Sequence, residues 1–500
     1  MVASSPVGNV PEHLLQTCVA YQHEVALIHR DLPPGDTRET RLAEAMAHGA
    51  AVCTSATLEA LQRLWTEAPA SHQESLQRLR AWALAMHVRS ALLPLQREIQ
   101  ARQRTAVCLV DGEPIPLRAS FAAMAAETRR DRRAAIEAAV RLQLRELNAL
   151  FEAQFTAQRT LVEPLGYASP EALWADILPT APATLQDVAT QLLASTEEVY
   201  RDLLTWAVRR RLDLPPGQLR RHDMLALFTF PDYQAYYQPG TVVPGLQRCL
   251  REMGLAPDVG GRLAWRERSA HFGPPAALAL HIPDDIVLSY APVQGLQGAE
   301  AFASASGRAL LWAFTSPDLP LIHRALGDPA LPESNAQLLA ELLADPRWLS
   351  PYLGVSVDQN YVAWRCLDRL YRVRRHLGRF LYTRYLYTTT SLAGAADAYR
   401  DLMMETCHVE YPQEYYLLDW DWDYTTLTVL RGWSLSAALL GALRAQFAPE
   451  WFRHPAAGEW LRQYWESALG ARVEDLRDRL LGTAWDAELF ATALVRHDMW

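Results

Sequence analysis

The residues of this chain that could do chemistry are few, and their spacing keeps most of them apart. One His-Glu pair lies in a helical run, His23-Glu24-Val25-Ala26-Leu27-Ile28-His29. Two histidines share a metal from one helix face when they stand four apart. These stand six apart, about 240° around the axis, and read as solvated helix side chains. His408-Val409-Glu410 has no second histidine after it and falls near a helix end, where a structural role is expected. Ser304 and Ser306 lie in an apolar helical stretch without a G-x-S-x-G elbow, so a base such as His281 or His323 would have to come from elsewhere. All 48 basic residues are arginine. That removes Schiff-base chemistry, a phosphate-loop lysine and a Ser-x-x-Lys nucleophile pair. Codon drift in a GC-rich, bacterial genome accounts for a lysine-free chain; the alternative is selection against lysine modification.

The stretch 299–345, AEAFASASGRALLWAFTSPDLPLIHRALGDPALPESNAQLLAELLAD, carries more. Its periodicity predicts an apolar helix over roughly 299–314, a Pro-rich connector, and a second helix opening near Pro332-Glu333-Ser334. HIPDDIVLSYAPVQG (281–295), GRALLWAF (307–314), LPLIHRALGDPALPES (319–334) and LLAELLADPRWL (338–349) resemble consecutive pieces of the thimet oligopeptidase and oligoendopeptidase F family of zinc peptidases. AVCLVDGEPIPLRASF (106–121) is similar to that family's N-terminal hairpin, and VLRGWSLSAALLGALRAQFAPEWFRHPAAGEWLRQYW (429–465) to its C-terminal helical lobe. In such gluzincins the first helix carries H-E-x-x-H, with two His ligands and a Glu general base, and the next helix adds a carboxylate ligand. The resemblance lays those five positions on Ser304-Ala305-Ser306-Gly307-Arg308, which hold neither histidine nor the base. Only the third-ligand position is kept, as Glu333, 25 residues after Arg308.

The resemblance therefore implies a degenerate zinc site at Ser304, Ala305, Arg308 and Glu333, with no catalytic residue, no metal ligand set and no cofactor. With the helix preserved, Arg308 points its guanidinium toward the volume the metal would fill, and Glu333 would otherwise be a costly unpaired carboxylate. A bidentate Arg308–Glu333 pair is expected to take the zinc's place. Were it buried, removing Arg308 would cost on the order of 3–5 kcal/mol. The function implied is that of a pseudopeptidase that keeps a peptide-binding channel and holds a peptide or unfolded polypeptide segment. Tyr424 and His323 are candidate channel residues. Tyr424 stands in LLDWDWDYTTLTVLRGW, where Thr425, Thr426 and Val429 thin out the aromatic density of the family's substrate-binding tyrosines. Two alternatives stay open: a regulatory or structural partner of an active paralogous oligopeptidase, and an enzyme with repurposed non-zinc chemistry.

The elements that must position these residues are mostly helices. Apolar residues recur at three- and four-residue spacing through 10–105, 119–160, 183–211 and from 298 onward, with breaks near 350–358 and 388–396. Asp111-Gly112 marks a hairpin over 106–117. The Pro- and Gly-rich region 213–295 reads as loops feeding a small sheet. The expected fold is mainly α, a zincin-like, thimet oligopeptidase-type elongated helical body with a small β-sheet and an interlobe channel, the channel being implied by the resemblance alone. Residues 1–200 read as an N-terminal helical region and 201–500 as the pseudo-catalytic lobe, an arrangement compatible with one continuous domain.

Bulk composition narrows the classes further. The chain has 500 residues, half of them apolar and 21% charged, and a net charge of −9, which gives no support for nucleic-acid binding. The Arg-aromatic stretch WRCLDRLYRVRRHLGRFLYTRYLY (364–387) reads as a solvated face with aromatics beneath it, and RRDRR (129–133) and Arg209–Arg211 as surface. No apolar run approaches the ~18 residues a membrane span needs. The start, MVASSPVGNVPEHLLQ, lacks a cationic and an apolar segment, so a cytoplasmic protein without membrane partners is expected. Six scattered cysteines with no C-x-x-C pair read as free thiols.

Overall fold

The computed structural model describes residues 10–229, 231–482 and 487–495. Residues 1–9, which carry most of the reading of the chain's start, lie outside that set. Residues 10–105 fold as four helices, α1 (Val10–Asp31), α2 (Asp36–Ala50), α3 (Ser55–Glu67) and α4 (Ala70–Thr105). The Thr54 hydroxyl accepts from the Thr57 N–H and so caps α3. Strands β1 (Val107–Val110) and β2 (Glu113–Pro116) then form the hairpin. Its two turn residues, Asp111 and Gly112, both sit at positive φ, 52° and 84°, as the twist of a tight hairpin requires. Helices α5 (Leu117–Ala126), α6 (Arg130–Val162), α7 (Pro170–Ile177), α8 (Gln186–Ser195) and α9 (Glu197–Arg211) follow.

The region read as loops before a sheet holds three further helices, α10 (Arg221–Leu227), α11 (Pro231–Gln234) and α12 (Val242–Glu252). α12 buries Val242, Leu246, Cys249 and Leu250, a helical spacing hidden by the surrounding Pro and Gly. The sheet comprises β3 (Leu263–Glu267), β4 (Ala276–His281) and β5 (Asp285–Tyr290) in the order β3-β5-β4, with β3 parallel and β4 antiparallel to β5. The remaining chain is helical: α13 (Gly295–Phe314), α14 (Leu321–Ala325), α15 (Ala330–Ala340), α16 (Pro346–Leu353), α17 (Gln359–Thr388), α18 (Ala395–Cys407), α19 (Thr425–Phe447), α20 (Pro455–Ala468), α21 (Val473–Leu481) and α22 (Ala487–Val495). Thus α13 begins earlier than the periodicity indicates, and α15 opens at Ala330, two residues before Pro332. The result is a mainly helical, elongated body with a small sheet against α13.

One apolar core runs through the molecule from Leu84 to Leu494. A smaller cluster lies among α1, α3 and α4, and another joins Ala26 of α1 to Leu278, Leu280 and Val287 of the sheet. All six cysteines are free and buried. Three readings of the sequence need correction. In α17, Arg365 and Arg374 are buried, because carboxylates and carbonyls on neighbouring elements satisfy them. In RRDRR, Arg130 and Arg133 reach inward to the buried Asp223. Finally, α19 is long and apolar enough by length and composition to cross a membrane, although Arg431 interrupts its apolar run. Some 61% of its apolar window is buried against the rest of the protein.

Candidate functional site

Helices α13 and α15 approach closely because one residue on the first has no side chain. A Cβ on Gly307 would lie 2.0 Å from the Asn335 carbonyl oxygen. On the other flank of α15, a Cβ on Gly432 of α19 would lie 2.7 Å from the Glu333 Cβ. α15 is therefore clasped between two glycines. Its start is fixed by Asp328, whose carboxylate accepts from the Ala330 N–H and from Arg431 at 3.0 and 2.6 Å. Arg431 also donates to Glu474 of α21, at 2.7 and 2.8 Å. This buried bracket joins α15, α19 and α21.

The two helices run in opposite directions, so their residues meet in rungs one turn apart. On the first rung Arg308 Nε and Nη2 donate to Glu333 Oε1 and Oε2 at 3.0 and 2.7 Å, a fork-to-fork pair. The two side chains are 30% and 25% exposed, so the pair is half-buried rather than sealed in the core. One turn back, Ser304 and Gln337 face a common cavity, and a further turn back Glu300 and Glu341 line it too. The cavity is about 50 Å³, room for a few waters.

Helix α17 closes this seam with charges at i, i+3, i+4 and i+7. Arg365 and Arg372 both donate to Glu300, the second at 2.9 Å. They also donate to Asp368, at 3.1 and 3.0 Å. Arg369 pairs with Glu341 at 3.1 Å. Burial alone would raise the Glu300 carboxyl, but the guanidiniums of Arg365 and Arg372 outweigh it and hold the group at about 2. Beside the cavity, Trp433 meets the His376 ring edge to face at 5.2 Å. Burial, then Arg375, Arg379 and Arg372, push His376 down to about 3, so its ring stays neutral. Sequence reasoning missed this α17 contribution. The i, i+3, i+4, i+7 spacing of Arg365, Asp368, Arg369 and Arg372 was its only signal, and that spacing does not say which helix it faces.

The donor set does not fit a catalytic zinc. Ala305 offers no donor, and the Ser306 hydroxyl donates to the Phe302 carbonyl of its own helix. Arg308 brings a permanent positive charge to the position that the resemblance gives to a neutral imidazole. Both oxygens of Glu333 are already taken by that guanidinium. Among the described residues, no cluster of three or more His, Cys, Asp or Glu could hold a metal ion.

The two candidate channel residues lie elsewhere. Tyr424 is fully buried in a left-handed conformation (φ 56°) at the start of α19, between the rings of Phe380 and Tyr387. Burial raises its phenol well above the ordinary range. His323 sits on α14 beside α1 and α4, where burial and then Arg78 lower its imidazole below the usual value. His408 caps α18 in the left-handed region, and its ring lies 2.8 Å from Glu197.

No family model matches the chain, and no curated protein does. Among solved structures it is similar to the M32 carboxypeptidase from Deinococcus radiodurans R1, with a TM-score of 0.62 over 97% of each chain at 13% identity. The chain therefore has a metallopeptidase-like fold.

Proposed function

We propose that this protein is a degenerate relative of the oligoendopeptidase F type that binds polypeptide without cleaving it, its zinc centre replaced by the Arg308–Glu333 ion pair. The observation that carries this reading is the bidentate geometry of that pair, 3.0 and 2.7 Å. It joins the two helix positions that the resemblance assigns to the second histidine and the carboxylate ligand. A guanidinium offers the carboxylate the positive charge and the two-point grip that a metal would give, and it holds α13 to α15 without supplying a nucleophile or a general base. The 50 Å³ cavity beside the pair is too small for a peptide, so a bound polypeptide would lie across the outer side of the seam.

The test is metal content by mass spectrometry on untagged protein kept free of chelators, beside cleavage of a quenched-fluorescent peptide library. The expected result is below about a tenth of a zinc per chain and no cleavage, with retained binding of unfolded polypeptide. Stoichiometric zinc with chelator-sensitive cleavage would overturn the reading. A companion variant, Ser304→His with Ala305→Glu and Arg308→His, rebuilds the ligand set on the same helix face. It is expected to bind zinc near one per chain, and failure to do so while folded would dissociate these positions from a former metal centre.

A further inference from the structure

Helix α17 passes through the middle of the molecule, and no residue between Tyr361 and Arg384 is fully exposed. Water nevertheless reaches part of it. Arg372 keeps 42% of its side chain in solvent and Arg375 29%, and His376 and Arg379 are half-buried beside them. These residues run on from the cavity at Arg372, with Trp433 of α19 standing against the His376 ring. A helix that is wet along such a row without reaching the outer surface borders a cleft.

The wall of that cleft is basic, and its ion pairs do not neutralise it. Arg365 and Arg372 share Glu300 and Asp368, and Arg375 pairs with Asp419 at 2.8 Å. Among the described residues, no carboxylate stands within ion-pair distance of Arg379. Its Nε donates to the Asp419 carbonyl oxygen at 2.9 Å, and its terminal nitrogens have no acceptor among those residues. The next carboxyl to feel its charge, Asp421, accepts from the Thr426 N–H at 2.7 Å, and burial and Asp423 raise it. His376 registers the surplus charge. After burial, the guanidiniums of Arg375, Arg379 and Arg372 lower its imidazole, and Asp419 offsets them only in part.

Resting on the polypeptide-binding reading of the protein, we propose that the row Arg372, Arg375 and Arg379 is a binding site for the side-chain carboxylates of an acidic polypeptide. A guanidinium offers a carboxylate two parallel donors. Arg375 and Arg379 stand four residues apart, a rise of about 6 Å along the helix. Side chains two apart on an extended strand share one face at about 6–7 Å. Acidic residues at alternate positions of an extended segment therefore match the row, and Trp433 with the neutral His376 ring gives their stems an aromatic wall. The chain's net charge of −9 does not oppose this, because charges beyond about 8 Å are screened at physiological salt.

The probe is a rhodamine-labelled, C-terminally amidated peptide of Glu-Ala repeats, titrated beside its Gln-Ala counterpart against the full chain by fluorescence anisotropy. The unsubstituted chain is expected to bind the Glu peptide at least about tenfold more tightly, the worth of one charge-assisted contact. Arg379→Gln is expected to erase that preference and Arg379→Lys to keep most of it. Equal affinity for the two peptides overturns the acidic assignment and leaves polypeptide binding in place. Binding of neither peptide by a chain that still holds unfolded polypeptide likewise overturns it, whereas loss of all three overturns the polypeptide-binding reading as well. A preference that survives Arg379→Gln, or binding only of a Glu peptide with a free C-terminus, places the recognition elsewhere and overturns the proposal. If Arg379→Gln does not fold, phenylglyoxal modification of the unsubstituted chain, mapped by mass spectrometry, decides. The Glu peptide is expected to protect Arg379 from the reagent and the Gln peptide to leave it reactive, and equal modification under both overturns the proposal.

Discussion

Arg308 and Glu333 make ideal two-point contact, yet each keeps a quarter or more of its side chain in solvent. That exposure decides the energetics. Water screens a pair of this kind, so Arg308→Ala is expected to cost about 1 kcal/mol rather than the 3–5 of a sealed pair. Glu300 gives the contrast. It is 9% exposed and serves two guanidiniums, and Arg365 beneath it is 8% exposed. Glu300→Ala takes from the buried Arg365 one of its two carboxylates, leaving Asp368, and is expected to cost about 2–3 kcal/mol. Denaturant unfolding of the two variants checks this. A larger loss for Arg308→Ala than for Glu300→Ala would mean that the half-buried rung, and not the buried one, holds the seam.

At the scale of elements, α15 keeps its place because it is clasped between Gly307 and Gly432. A methyl at Gly307 would meet backbone of the facing helix, which has no rotamer to yield, so α13 and α15 would have to separate. Gly307→Ala is expected to destabilise by ~3 kcal/mol. Gly441, in the interior of α19, has nothing within 4 Å of an added Cβ. Gly441→Ala removes a flexible residue from a helix interior and is expected to stabilise by about 0.5–1 kcal/mol. Thermal melts of both variants check the pair of signs. If both substitutions acted in the same direction, close helix approach would not be what Gly307 supplies.

For the whole molecule, two buried groups contribute in a defined direction to how stability follows pH. Burial and three neighbouring arginines hold His376 near 3, below the ~6.5 of an unfolded histidine. Between those values the unfolded chain binds the extra proton, so stability rises with pH and is lost on acidification. The slope expected from this one group is on the order of 1 kcal/mol per pH unit. Glu300 adds a contribution of the same sign in a lower window, from about 4.5 down to about 2, as its carboxylate is protonated away from Arg365 and Arg372. His376→Gln is therefore expected to flatten the stability profile between pH 4.5 and 6.5 while leaving the steeper loss below it. Unfolding measured at half-unit intervals checks this, and an unchanged slope would mean that His376 is protonated in the folded protein.

Local chemistry was readable in the chain itself. Asp111-Gly112 marks its hairpin because only residues at ease with positive φ close a two-residue turn between twisted strands. Helical periodicity marks α4, α6, α13, α17 and α19, since one apolar stripe must face a core whatever that core turns out to be. Ser304-Ala305-Ser306-Gly307-Arg308 lacks metal donors, which is a property of composition and needs no coordinates. Which faces meet is a different kind of fact. Arg365 finds Glu300 across 65 residues, and Arg431 finds Asp328 across 103. An arginine on a helix reads the same in sequence whether water or a buried carboxylate awaits it. Tyr424 shows the reverse case, a tyrosine that reads as a ligand-facing ring but lies sealed between Phe380 and Tyr387. Periodicity assigns a side chain to a face, while burial and partner depend on long-range packing. Only the tertiary structure brought α17 over the seam.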